Sequence, residues 1–192
     1  MTERGVSVDH STIQRWVVRY SPELEAEFRR GKRTVGARWR MDETYIKVKG
    51  TWKSLYRAVD KEGKTSRFPF DCQAGHDSSL SLLAQGSALV ARSRETTMDK
   101  SGANKAAADA FGKDVPGKGK LIEIRQVKYL NNIVEQDHRG VKRRTGPMLG
   151  FKSFRSAQRT LAGIELVHML RKNQHEKSSR MSPAELLYSL AG

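Results

Sequence analysis

The stretch that most limits the fold runs from Trp39 to Lys64. Two β-favouring runs, one from Met41 to Val48 and one from Trp52 to Val59, are broken at Gly50, and "DKEGK" closes the second. This succession predicts a hairpin and commits the chain to a sheet. Further on, "RETTMD" reads as a strand ending at Asp99, "KSGANKAAADAF" as a helix, "GKDVPGKGK" as a loop and "LIEIRQV" as a strand. Helices are expected around 131–144 and 154–172, and Pro183 marks the start of another in the tail. The order is β-β, an unassigned middle, then β-α-β-α-α. It implies an α/β sheet with helices packed on it.

Ahead of the hairpin, Asp9 and Ser11 are N-cap candidates, and Ile13, Trp16, Val17 and Tyr20 follow at helical spacing. Pro22 is expected to end or restart this helix. With Gln14, Arg15 and Arg19 on its outer face, the segment reads either as the second helix of a helix-turn-helix or as a solvated amphipathic helix. Residues 29–38, basic and Gly-containing, read as a linker.

Charge narrows the partner. Lys and Arg total 36 against 21 Asp and Glu, a formal net charge of +15. Such an excess favours a polyanion, because Lys and Arg displace condensed counterions from a phosphate backbone. No apolar run of about 18 residues and no signal-peptide core is visible, so no membrane partner is expected. Cys72 is the single cysteine, which excludes a disulfide framework and a multi-thiolate zinc site. A cytoplasmic, nucleic-acid-facing protein is the expectation.

Three carboxylates stand at element ends in basic or polar settings: Asp42, Asp99 and Glu135. Phosphoryl transfer on DNA needs hard oxygen ligands that hold two Mg2+ or Mn2+ ions about 3.5–4 Å apart. Two Asp from neighbouring strands and a Glu from a helix can converge on such a site, while the surrounding cations hold the DNA. Glu43 and Asp137 are close rivals; either reads as a plain surface charge, and Asp137 also as a salt-bridge partner. His138 reads as a surface or DNA-contacting histidine rather than a metal ligand.

Particular words sharpen this reading. "WRMDETYIKVKGTWKSLYRAVDKEGKT", "TMDKSGANKAA" and "NNIVEQDHRGVKRRTGPMLGFKSFRSAQRTLAGIELVHMLRK" closely resemble the DDE transposases of the IS-six group of bacterial insertion sequences. The resemblance implies an RNase H-like, integrase-type catalytic core behind an N-terminal helix-turn-helix. It makes Asp42, Asp99 and Glu135 the catalytic and metal-binding triad, with two Mg2+ or Mn2+ ions as cofactors. Lys142, seven residues after Glu135, fills the place of a DNA-contacting cation in related transposases. Arg139, Arg143 and Arg144 are expected to face the DNA backbone with it, and Arg15 and Arg19 to contact DNA from the N-terminal helix. The implied reaction is metal-dependent cleavage and strand transfer at terminal inverted repeats. The implied partners are double-stranded DNA, both repeat and target, and further copies of the chain assembled on it. The implied place is the bacterial cytoplasm, on the nucleoid when DNA is bound.

Two departures accompany the resemblance. "MTERGVSVDHSTIQRWV" resembles the latter half of the helix-turn-helix, so its first helix is expected to be missing. Residues 67–94 replace a third apolar strand and an Ala- and Arg-rich helix with "RFPFDCQAGHDSSLSLLAQGSALVARSR". Reading permitted codons for Arg67–Gln73 one base later yields Asp-Phe-Leu-Leu-Thr-Ala, the strand the family carries. Two compensating frameshifts bracketing the segment are therefore expected, and impaired activity with them, since Pro69 removes a ladder donor and Asp71 resists burial. The expected domains are 1–30 (partial helix-turn-helix), 31–38 (basic linker), 39–174 (catalytic, with 67–94 atypical) and 175–192 (tail). The competing readings are a non-catalytic DNA-binding remnant and a nuclease acting on RNA–DNA hybrids.

Overall fold

The computed structural model describes residues 5, 7–66, 95–98, 123–126 and 132–191. Its elements in chain order are α1 (His10–Arg30), β1 (Arg38–Val48), β2 (Thr51–Asp60), β3 (Glu95–Met98), β4 (Glu123–Gln126), α2 (Asn132–Thr145), α3 (Phe154–Arg171) and α4 (Pro183–Ala191). They divide into two units, one spanning Thr34–Phe151 and one built from the residues up to Arg33 together with those from Lys152 onward. Asp99, the helix and loop expected between Lys100 and Lys120, and the atypical segment 67–94 lie outside the described residues.

In the first unit, the expected hairpin forms with an unbroken antiparallel register from Trp39↔Asp60 to Val48↔Thr51. Its two-residue turn puts Lys49 at φ 50° and Gly50 at φ 79°. Positive φ at both central positions matches the right-handed twist of the flanking strands, and Gly accepts it without a Cβ penalty. β3 lies parallel to β1 and β4 parallel to β3, giving a mixed sheet of order β2-β1-β3-β4. Along β1 the side chains of Thr44, Ile46 and Val48 are buried while Tyr45 and Lys47 are exposed. The period of two puts Asp42 on the buried face and Glu43 on the other.

α2 covers β1 and β2. It buries Val134, Asp137, His138 and Val141, an i, i+3, i+4, i+7 stripe. The stripe carries two ionisable residues: Asp137, read as a surface charge or a salt-bridge partner, is the latter and buried, and His138, read as a surface or DNA-contacting group, is buried as well. Both are buried because each meets a polar partner on the hairpin.

The second unit is helical. Asp9 caps α1, its carboxylate accepting the Ser11 N–H at 3.0 Å. α1 runs through Pro22 without a break, so the expected end or restart at that residue is overturned. The physical reason is local. Pro22 has no N–H for the Val18 carbonyl, and the Arg159 guanidinium of α3 donates to that oxygen at 3.4 Å. The segment is therefore one continuous helix from His10 to Arg30. Its apolar stripe also faces differently from expectation. Trp16, Val17 and Tyr20 are exposed, whereas Ser21 and Phe28 are buried.

Phe28 joins Leu166, Met169, Leu170 and Leu186 in the core shared by α1, α3 and α4. The approach of α1 to α3 depends on Gly163, where an added Cβ would lie 2.6 Å from Ser21 Oγ. Arg29 pairs with Glu25 one turn back and with Glu165 on α3 at 3.2 Å. Residues 31–33 run beside 174–176, with Arg33 N–H donating to the Gln174 carbonyl at 2.8 Å and Glu176 N–H to the Gly31 carbonyl at 3.0 Å. The expected tail helix does start at Pro183, and Leu186 sits fully inside the core.

Candidate functional site

Asp42 sits mid-strand on β1, its side chain one-fifth exposed. Its Oδ1 accepts the N–H of Glu43 at 2.9 Å, and its Oδ2 lies 3.2 Å from Nδ1 of His138 on α2. The carboxylate is thus held from both sides, by backbone and by an imidazole that is itself 5 % exposed. His138 Nε2, also buried, has no hydrogen-bond partner among the described residues.

One turn before His138 stands Glu135, exposed, in the first turn of α2. An acid there is favoured by the positive end of the helix dipole. Positions 135, 138, 139 and 142 recur at i, i+3, i+4 and i+7, so Glu135, His138, Arg139 and Lys142 share one flank of α2. That flank is the one His138 applies to Asp42. Glu135 thus stands one helical turn before the residue that contacts Asp42, with Arg139 and Lys142, both exposed, farther along the same flank. Arg143 lies on the outward side of the helix. Arg144 is half-buried and turned back, its guanidinium donating to the Gly140 carbonyl at 2.9 Å. Of the four cations expected to face DNA from this helix, two lie on the flank of Glu135 and two do not.

Asp99 lies outside the described residues. The strand that leads to it is described. β3 ends at Met98, which pairs with Met41 in the parallel register. The strand carrying Asp42 and the strand ending one residue before Asp99 run side by side in the same direction.

What fixes α2 against the sheet is a contact that the sequence did not disclose. Arg57 on β2 has a side chain 1 % exposed, and its Nη2 lies 3.4 Å from Asp137 Oδ2. Thr65 Oγ1 donates to the same oxygen at 3.4 Å. Arg57 and Asp137 are far apart in the chain, and nothing in their neighbours signals the pairing. The alternation of β2 could have flagged Arg57 as inward-facing, since Leu55 and Val59, both buried, share its parity.

Among the described residues no group of three or more His, Cys, Asp or Glu side chains is placed to hold a metal ion. The donor set can still be tested for kind. Asp42 and Glu135 offer carboxylate oxygens, hard donors that suit Mg2+ or Mn2+. Their chemistry fits such an ion.

In the helical unit, Arg15 and Arg19 are both exposed on α1. Together with Gln14 and Arg159 they line an open groove. Arg15 is tethered to its own helix through the Ser11 carbonyl at 3.3 Å and Thr12 Oγ1 at 3.2 Å. Arg19 lies over the Tyr20 ring at 5.3 Å. Among the described residues no helix is long and apolar enough to cross a membrane.

Comparison with known proteins places this geometry in context. Residues 36–174 match the family described as a DDE domain. The chain is 34% identical over 180 residues to the transposase for insertion sequence-like element IS431mec of Staphylococcus aureus, covering 90% of this chain and 75% of that protein. It is also 34% identical over 177 residues to the S. aureus transposase for insertion sequence element IS257 in transposon Tn4003, covering 88% of this chain and 73% of that protein. A 32-residue stretch, 17% of this chain and 30% of its match, is 53% identical to an uncharacterized protein of Yersinia pseudotuberculosis. No solved structure matches the chain.

Proposed function

We propose that this chain, which belongs to the DDE transposases of the IS-six group of bacterial insertion sequences, cleaves DNA at the element's terminal inverted repeats and joins the cut strand to a target. The observation that carries the proposal is the contact between Asp42 on β1 and His138 on α2, at 3.2 Å. It sets the helix flank that bears Glu135 against the strand that bears Asp42.

Asp42, Asp99 and Glu135 are the proposed metal-binding and catalytic residues. These residues would hold two Mg2+ or Mn2+ ions, which would supply activation of the attacking hydroxyl and charge stabilisation of the leaving oxygen. Everything else falls to the chain's own residues. His138 and the Glu43 N–H fix the orientation of the Asp42 carboxylate, so His138 is a positioning residue. Arg139 and Lys142 stand on the flank of Glu135, where they offset the repulsion between the site's carboxylates and an incoming phosphate. Arg143 and Arg144 reach DNA only away from that flank. Arg15 and Arg19 engage the duplex from α1, which is the helix of a DNA-binding segment over residues 1–30. Residues 39–174 form the catalytic domain. The assembly on DNA is an oligomer of this chain, in the bacterial cytoplasm.

The test uses duplex DNA carrying the element ends, with cleavage and joining read on a sequencing gel with and without Mg2+. Asp42→Ala, Asp99→Ala and Glu135→Ala should each abolish the metal-dependent products while duplex binding persists. Binding with a steep salt dependence, no cleavage under any metal, and indifference to Asp42→Ala would instead make the chain a non-catalytic DNA-binding protein.

A further inference from the structure

The C-terminal half of β1 has a feature that the carboxylate site does not use. Tyr45 is 53 % exposed and Trp52 on β2 is 65 % exposed, both far above what large aromatics reach in a covered sheet. The hairpin register pairs Lys47 with Trp52 and Tyr45 with Ser54. Tyr45, Lys47 and Trp52 therefore share one face of the hairpin, the two aromatics on a diagonal. Diagonal neighbours in an antiparallel pair stand about 7–8 Å apart. Two van der Waals stacking distances of about 3.5 Å come to nearly the same length. The spacing suits a flat ring placed between two aromatic walls.

These residues open onto a cleft of about 860 Å³ in the same unit, lined also by Lys142, Leu149 and Phe151. That volume lies within the range of about 300–1,000 Å³ typical of small-ligand sites. Leu149 is 88 % exposed and held at φ 55°, an apolar side chain kept outward at the rim. Gly150 follows at φ 112°, where an added Cβ would lie 3.0 Å from the Lys47 carbonyl oxygen. The close approach of this segment to β1, with Phe151 N–H donating to the Lys47 carbonyl at 2.8 Å, shapes the cleft wall. Among the described lining residues there are two lysines and no acid.

We propose that this cleft binds an unpaired nucleobase of the DNA strand, stacked on Trp52 and Tyr45, with its flanking phosphates on Lys47 and Lys142. Only an unpaired base presents its π-face, since a base in a duplex offers its edges alone. Aromatic walls with two cations in the lining match a base with its phosphates, and the nearby Glu43 carboxylate is engaged by the Tyr45 hydroxyl. A second copy of this chain is disfavoured as occupant, because it would bring a net charge of +15 against the same lysines. The proposal rests on the DNA-processing reading only for the source of the strand.

The experiment is chosen to separate the two. In chelator, with no cleavage possible, binding of a short oligothymidylate and of a blunt duplex is measured by fluorescence for the full chain, Trp52→Ala, Trp52→Phe and Tyr45→Ala. Oligothymidylate should quench tryptophan emission of the parent. Trp52→Ala should weaken its binding by about tenfold, Tyr45→Ala should weaken it too, and Trp52→Phe should retain most of it. Duplex affinity should change by less than about twofold, since phosphate contacts dominate there. Equal losses on both probes, or no loss on the single strand, overturn the proposal. A change in sedimentation of Trp52→Ala with single-strand affinity intact overturns it in favour of self-association. Loss of cleavage in Asp42→Ala leaves this result unaffected, so either reading can fail alone.

Discussion

Asp137→Ala should destabilise the sheet unit more than any exposed substitution in it. The guanidinium of Arg57 lies 3.4 Å from the Asp137 carboxylate, and its side chain is 1 % exposed. At an effective dielectric of about 20, two unit charges at that separation attract with about 5 kcal/mol. Desolvation of both groups offsets much of this, so the pair itself contributes little net stability. Removing one partner is a different matter, because the desolvation cost of the other remains with nothing opposing it. Arg57 would be left buried with its Nε already without a hydrogen-bond partner among the described residues. The expected loss is about 3–5 kcal/mol, a large share of the roughly 5–15 kcal/mol that stabilises an ordinary domain. Urea unfolding followed by tryptophan emission reports it, since Trp39 is 3 % exposed and lies in this unit. Trp16 and Trp52 are already in water and shift little. The double variant Arg57→Met with Asp137→Leu should recover most of the loss, because it buries no charge. A loss below about 1 kcal/mol for Asp137→Ala, or a double variant no better than the single one, refutes the account.

Three further outcomes are expected. Gly163→Ala should destabilise the helical unit by about 1–2 kcal/mol in thermal melts despite the better helix propensity of Ala, because its Cβ meets Ser21; adding Ser21→Ala should restore stability. His175, buried against Phe28 with ring centroids 5.0 Å apart, has its pKa pushed below 6.5 by burial first and then by the charges of Lys177 and Arg33, with Glu176 opposing. Its folded form then binds fewer protons than the unfolded chain, so stability is full above about pH 6.5 and falls as pH drops below it toward the depressed value. The melting temperature of the parent should decline across that window more steeply than that of His175→Gln, and parallel curves would remove His175 as the cause. Arg19→Ala should lower the slope of log affinity against log salt for duplex DNA by about one, and an unchanged slope would exclude a phosphate contact there.

The hairpin was legible because its information is local. Gly50 permits the positive φ that the two-residue turn requires, and the flanking runs alternate in hydrophobicity. Helices at 132–145 and 154–171 were legible for the same reason, by spacing. Pro22 misled because its rule concerns the helix backbone alone, while the orphaned Val18 carbonyl finds Arg159 from another helix. The stripe of Trp16, Val17 and Tyr20 misled in a similar way. Periodicity identifies an apolar face but not whether any surface arrives to cover it.

The words around Asp42, Asp99 and Glu135 established the family, because motif and residue type travel together along the chain. The sequence also carried the cationic excess that makes DNA the partner. It did not show that the helix presenting Glu135 buries the next acid, Asp137, on Arg57, or that His138 turns inward to Asp42. Both pairings join β-hairpin to helix across a long stretch of chain, and each group is tolerable in the interior only because the other is there. Burial of a charge is a property of the pair, so only the packed tertiary structure could decide which of two neighbouring acids stays exposed and which one holds the helix in place.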